Sequence, residues 1–126
     1  MARPLKMVHT CMRVRDIDAS LRFYEALGFE RRGKLDFGSA YNIYLGLPGD
    51  GDTLELTVNA GQDEPYDLGN GYGHVAIAVE DAYKACEEIK KRGGKVTREA
   101  GPMKHGTTVI AFVEDPDGYK IELIQR

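Results

Sequence analysis

His9-Thr-Cys-Met-Arg-Val14-Arg-Asp16 and His74-Val-Ala-Ile-Ala-Val79-Glu-Asp81 are one pattern written twice. Shifted by 65 positions, His9 falls on His74, Val14 on Val79, Asp16 on Asp81 and Gly28 on Gly93. Further along, Leu54-Glu55-Leu56-Thr57 answers Ile121-Glu122-Leu123-Ile124 at an offset of 67. Identity between the halves is thin, but the same residue types occur in the same order, as duplication of a half-domain would leave them.

Each half decodes in the same way. Residues 74–79 are a short run of Val, Ile and Ala that reads as a strand, and residues 8–14 are its more polar counterpart. Asp16 and Asp81 stand where a side chain would cap the first free N–H groups of a helix. Behind them, Ile17, Leu21, Tyr24 and Leu27, and then Ala82, Ala85, Cys86 and Ile89, fall at helical spacing. Gly28 and Gly93-Gly94 supply the residue that ends a helix in the left-handed region. Strands are expected at residues 31–34, 40–45 and 53–58 in the first half, and at 95–99, 107–114 and 120–125 in the second. They are separated by turn signals that include Gly101-Pro102 and Asp115-Pro116-Asp117-Gly118. The expected fold is therefore α+β, two βαβββ modules in tandem within one domain over residues 1–126. Module one covers about 7–59, a polar linker about 60–70, and module two about 71–126.

Composition agrees with a globular domain. With 126 residues, 42% hydrophobic and 29% charged, the chain can bury a core without staples. No apolar run approaches the roughly 18 residues of a membrane span. A net charge of −3 with no basic cluster argues against nucleic acid and anionic membrane as partners. Cys11 and Cys86 read as reduced, buried small hydrophobes, and the N-terminus lacks the apolar stretch of a signal peptide. The expected location is cytoplasmic.

Two of the three histidines, His9 and His74, occupy the same place in the repeat. Each half also carries one Glu in an otherwise apolar final strand. Side chains alternate along a strand, so Leu54 and Leu56 point away from Glu55, and Ile121 and Leu123 away from Glu122. If the apolar residues face helices, both carboxylates face the opposite, concave side. Singly, such a His or Glu is most simply a residue of a wet surface. Four of them at matched positions form a His₂Glu₂ set of imidazole nitrogen and carboxylate oxygen. That set suits a divalent transition metal and not a thiolate-bound structural zinc. His105 has no counterpart in the repeat and reads as an exposed loop residue.

His9-Thr10 with Arg13-Val14, Leu54-Glu55-Leu56-Thr57 with Asn59, Gly71-Tyr72-Gly73-His74-Val-Ala and Asp115-Pro116-Asp117-Gly118-Tyr119-Lys120-Ile121-Glu122 together resemble bacterial-type glyoxalase I, the lactoylglutathione lyases of the vicinal oxygen chelate superfamily. The resemblance runs from His9 to Leu123. It implies paired cupped sheets and isomerisation of the methylglyoxal–glutathione hemithioacetal to S-lactoylglutathione through an enediolate, a detoxification of methylglyoxal. It also implies one divalent metal per site held by His9, Glu55, His74 and Glu122, with Ni²⁺ or Co²⁺ favoured and Zn²⁺ possible. Glu122 would be the principal base and Glu55 its partner. Glutathione is the implied co-substrate, met by Arg13 and Asn59, with Lys104 in a polar loop over the substrate. A homodimer with sites at the interface follows from the same resemblance.

Rival readings keep the fold and change the chemistry. An epimerase, or a lyase for another thiol or 2-oxoaldehyde, would use the same kind of site. A ring-cleaving iron dioxygenase would want two His and one carboxylate, and Glu55 adds a fourth ligand. A drug-sequestering protein would need no metal at all.

Overall fold

The computed structural model describes residues 2–126; Met1, the first residue of the expected domain, lies outside the described residues. In order, the elements are β1 (Thr10–Arg13), α1 (Ile17–Ala26), β2 (Glu30–Asp36), β3 (Ala40–Gly46), β4 (Leu54–Asn59), β5 (Val75–Val79), α2 (Ala82–Lys91), β6 (Lys95–Pro102), β7 (Val109–Glu114) and β8 (Lys120–Gln125). They build two four-stranded sheets, β1-β4-β3-β2 and β5-β8-β7-β6, each the topological copy of the other. β1 pairs with β4, and β5 with β8, in parallel, and the remaining pairs are antiparallel. A parallel pair needs a long crossover, and the helix with its two following strands supplies it in each half. This is the α+β tandem of βαβββ units expected from the repeat.

Both helices begin as the sequence implies. The Asp16 carboxylate accepts from the Ala19 N–H at 3.2 Å, and Asp81 accepts from the Lys84 N–H at 3.0 Å. At the other ends, Gly28 and Gly93 take φ of 95° and 82°, closing each helix where a Cβ would be strained. Leu21 and Tyr24 of α1, and Ala82, Cys86 and Ile89 of α2, are buried against the sheets, as are Leu54, Leu56, Ile121 and Leu123. Alternation therefore turns Glu55 and Glu122 to the opposite face.

Three expectations change. Cys11 is exposed and not buried, while Cys86 is buried. Met12 of β1 and Val14 just after it are turned inward, so Cys11 must face the open side. β6 runs through Gly101-Pro102, which was expected to break it. The Arg98 guanidinium there donates to the carbonyls of Gly101 and Ile110 at 2.9 and 2.8 Å and to that of Pro102 at 2.9 Å. These bonds satisfy backbone groups that the shifted β6–β7 register leaves over. β1 and β5 start at Thr10 and Val75, so both histidines stand one residue ahead of their strands.

The halves are tied through the Asp-Pro-Asp-Gly turn. The Tyr24 hydroxyl donates to Asp115 Oδ2 at 2.7 Å, and the other carboxylate oxygen accepts from the Asp117 and Tyr119 N–H groups at 2.9 Å each. The Arg15 N–H donates to Asp117, and the Tyr119 hydroxyl donates to the Arg13 carbonyl. Burial raises the Asp115 carboxyl to about 6, only partly offset by the Tyr24 and backbone hydrogen bonds. Because the folded value lies above the unfolded one, the contribution of Asp115 is fully present below pH about 4 and is lost as pH rises through about 6. The stability of the native chain relative to Asp115→Asn is therefore expected to fall by about 2 kcal/mol between pH 4 and pH 7. Urea unfolding at stepped pH measures it, and a difference that stays flat across that range contradicts the assignment.

Candidate metal centre

On the open face of the first sheet, His9 Nε2 lies 3.3 Å from Glu55 Oε2. On the second, His74 Nε2 lies 3.2 Å from Glu122 Oε1. In each pair the histidine is the more open partner, at 34% and 40% side-chain exposure against 12% and 17% for the glutamates. A carboxylate this enclosed requires a cationic or hydrogen-bonding neighbour, and the imidazole provides one. An aromatic ring flanks each histidine edge-on, Tyr44 at 6.1 Å from His9 and Phe112 at 5.3 Å from His74. These rings lie on the central strands β3 and β7, where Tyr44 pairs with Glu55 and Phe112 with Glu122.

Nitrogen and oxygen donors converging in this way fit a divalent transition ion. Among the described residues no three His, Cys, Asp or Glu side chains come together as a possible metal group, so each His–Glu pair stands by itself within the chain. The structure thus brings His9 to Glu55 and His74 to Glu122, and leaves the two pairs apart within the chain.

The other expected residues are distributed unevenly. Arg13 lies on β1 opposite Thr57, on the same strand face as His9 and Cys11. Asn59 ends β4, and its amide donates to the Tyr66 hydroxyl at 3.1 Å, so the linker reaches back to the site face. Lys104 and His105 are exposed in the turn joining β6 to β7, a turn closed by the Met103 N–H bonding the Thr108 carbonyl at 2.9 Å. Lys104 therefore belongs to the opposite module from Arg13 and Asn59.

Sequence reading passed over Cys11, Asn42, Tyr44 and Phe112, all of which share the glutamates' faces. Thr57 Oγ1 donates to Asn42 Oδ1 at 2.7 Å, and Asn42 Nδ2 donates to the Tyr44 oxygen at 3.1 Å. Cys11 Sγ lies 3.4 Å from Thr57 Oγ1. Although Cys11 is exposed as a residue, partial desolvation of its sulfur pushes the thiol up; the Thr57 hydroxyl opposes this and Glu55 adds to it, so Cys11 is a neutral donor and not a thiolate. Alternation of Asn42 and Tyr44 with Ile43 and Leu45 was the available signal.

The model for the Glyoxalase/Bleomycin resistance protein/Dioxygenase superfamily matches residues 6–123. The chain belongs to this superfamily. Among similar superfamily members, a probable lactoylglutathione lyase of Synechocystis is 56% identical over 124 residues, covering 94% of each chain. A lactoylglutathione lyase of Neisseria meningitidis serogroup A is 53% identical over 128 residues, covering 97% of this chain and 91% of that one. Glyoxalase I from Zea mays superposes with a TM-score of 0.88 at 49% identity, over 96% of this chain. The chain spans 44% of the length of that maize protein.

Proposed function

We propose that this chain is a glyoxalase I, converting the hemithioacetal of methylglyoxal and glutathione to S-lactoylglutathione. The observation that carries the proposal is the pair of His–Glu contacts at matched positions of the two modules. The lactoylglutathione lyases that share half or more of its residues support it.

The two pairs do not converge within one chain, so we read the complete set as formed between two copies. Module one, residues 7–59, would supply His9 and Glu55; module two, residues 71–126, of a second copy would supply His74 and Glu122. The open face of module two, with half-buried Phe112, Ile110 and Ile124, is the kind of apolar surface that a partner covers. Spanning only part of the maize chain at high structural similarity suits this reading, since a longer chain can carry both copies in one polypeptide.

When bound, a divalent ion supplies Lewis acidity to the substrate's oxygens, and His9, Glu55, His74 and Glu122 would hold it. Glu122 takes the proton from the hemithioacetal carbon and returns it to the neighbouring carbon, so electrons and atoms balance within the substrate. Arg13 and Asn59 face the glutathione, the guanidinium suiting its γ-glutamyl carboxylate. Lys104 approaches from the β6–β7 turn. The apolar flank of module two keeps bulk water from the exchanging proton. Ni²⁺ or Co²⁺ is the expected metal, with Zn²⁺ the alternative. No helix among the described residues is long and apolar enough to cross a membrane, and we place the enzyme in the cytoplasm.

Reconstitution tests the proposal. Chelator-stripped protein given Ni²⁺, Co²⁺, Zn²⁺ or Mg²⁺ separately is expected to form thioester from methylglyoxal and glutathione, fastest with Ni²⁺ or Co²⁺. Tight metal binding without turnover would reject this substrate in favour of another thiol, aldehyde or an epimerisation. No metal uptake would leave a sequestering protein.

A further inference from the structure

Both modules bulge at the same place, and only one follows the bulge with a charge. β2 shifts register between Arg31 and Gly33, and β6 between Val96 and Arg98, the same positions at the offset of 65. Gly33 has no side chain, so this first bulge asks nothing of the residue after it. From there β2 pairs residue for residue with β3, Gly33 with Tyr44 through to Asp36 with Tyr41. β6 does not. Between Arg98 and Gly101 it shifts again, setting Glu99 and Ala100 opposite Ala111 alone. Such a second bulge bends the strand and leaves carbonyls without ladder partners.

Arg98 answers those carbonyls. Its Nη1 donates to Gly101 at 2.9 Å, to Ile110 at 2.8 Å and more weakly to Glu99 at 3.3 Å, and its Nη2 donates to Pro102 at 2.9 Å. Every bond it makes among the described residues goes to a backbone carbonyl, and the set spans both β6 and β7. A rigid fork of donors can hold two strands together in this way, which a single ammonium cannot. The place it holds is the root of the turn over residues 103–108. Beyond that root, the Met103 N–H bonds the Thr108 carbonyl at 2.9 Å, and the Gly106 N–H bonds the Met103 carbonyl at 3.3 Å. Neither bond holds Lys104, which is exposed.

We propose that Arg98 is a positioning residue: by binding carbonyls of both strands at the root of the β6–β7 turn, it fixes where that turn carries Lys104 over the substrate. The inference rests on the lyase reading above, in which Lys104 approaches from this turn. Module one has nothing to aim in this way. Its β2–β3 turn is closed tightly by the Phe37 N–H on the Ala40 carbonyl at 2.8 Å and carries no residue of the proposed site. A displaced Lys104 weakens the hold on substrate and leaves the proton-transferring carboxylate where it was, so the loss falls on binding.

Variants of the full chain test this. Arg98→Met removes the fork and keeps an unbranched stem. In the Ni²⁺-loaded protein it is expected to raise KM for the hemithioacetal about tenfold, with kcat within about twofold of native. Lys104→Met is expected to raise KM by a similar factor. Adding Arg98→Met to it raises KM by less than about twofold more, because the residue being aimed is gone. Arg98→Lys, which keeps the charge without the fork, runs the same comparison with a smaller change and is expected to fall between. Limited trypsin digestion reads the turn directly: cleavage between Lys104 and His105, followed by mass spectrometry, is expected to be about tenfold faster in Arg98→Met. Cleavage at the native rate overturns the positioning role whatever the chain catalyses, and so do KM losses that multiply in the double variant. Absence of turnover by the Ni²⁺-loaded native chain overturns the lyase reading, and the digestion then decides whether Arg98 holds the turn.

Discussion

Glu122→Gln is expected to lower kcat by about 10²–10⁴-fold, the range set by removing a positioned general base. Glutamine has the same shape and keeps an oxygen that can accept from His74, so the contact at 3.2 Å survives the change. What is lost is the charge that takes a proton. The surroundings make that loss hard to replace: the cross-strand neighbours of Glu122 are Ala76 and Phe112, and neither can transfer a proton. Leu123 and Ile121 on either side point into the core and anchor the strand, so the backbone carrying residue 122 stays in register. Steady-state thioester formation, with metal content measured on the same samples, separates loss of the base from loss of a ligand. A variant that holds metal yet turns over at the native rate would remove Glu122 from the chemistry.

Much of this arrangement is legible in the amino-acid sequence alone, and for one physical reason. The repeat of His9 on His74 and Asp16 on Asp81 constrains both halves at once, and two weak signals in register make a strong one. Alternation then carried Glu55 and Glu122 to the open faces, because Leu54, Leu56, Ile121 and Leu123 had to be buried. The rest depends on strand pairing, which a single sequence leaves open. That Tyr44 faces Glu55, or Phe112 faces Glu122, follows only from which residue of β3 or β7 meets which of β4 or β8. Cys11 was misplaced because small apolar composition suggested burial, whereas position between Thr10 and Met12 decides its face. The continuation of β6 through Pro102 depends on Arg98 reaching carbonyls from residues on two strands, a contact invisible to local turn signals. Nor did any spacing reveal that Tyr24 of the first module would seat its hydroxyl on Asp115 of the second.

Separation of the two His–Glu pairs within one chain makes complementation between chains the sharpest expected result. A chain carrying His9→Ala with Glu55→Gln lacks the first half of every site it joins, and a chain carrying His74→Ala with Glu122→Gln lacks the second. Each alone is expected to be inactive, because a symmetric dimer of either pairs an intact half with a ruined one at both sites. Unfolded together and refolded in equal amounts, half of the dimers formed by random association contain one chain of each kind. In those, one site combines both damaged modules and the other combines both intact ones. Activity is therefore expected to return to about a quarter of the native value per chain, starting from near zero in each parent. Sites built within single chains would show no recovery, since every chain in the mixture is damaged in one module. Light scattering of the mixed sample fixes the assembly state. Recovered turnover can come only from His9 and Glu55 of one chain meeting His74 and Glu122 of another.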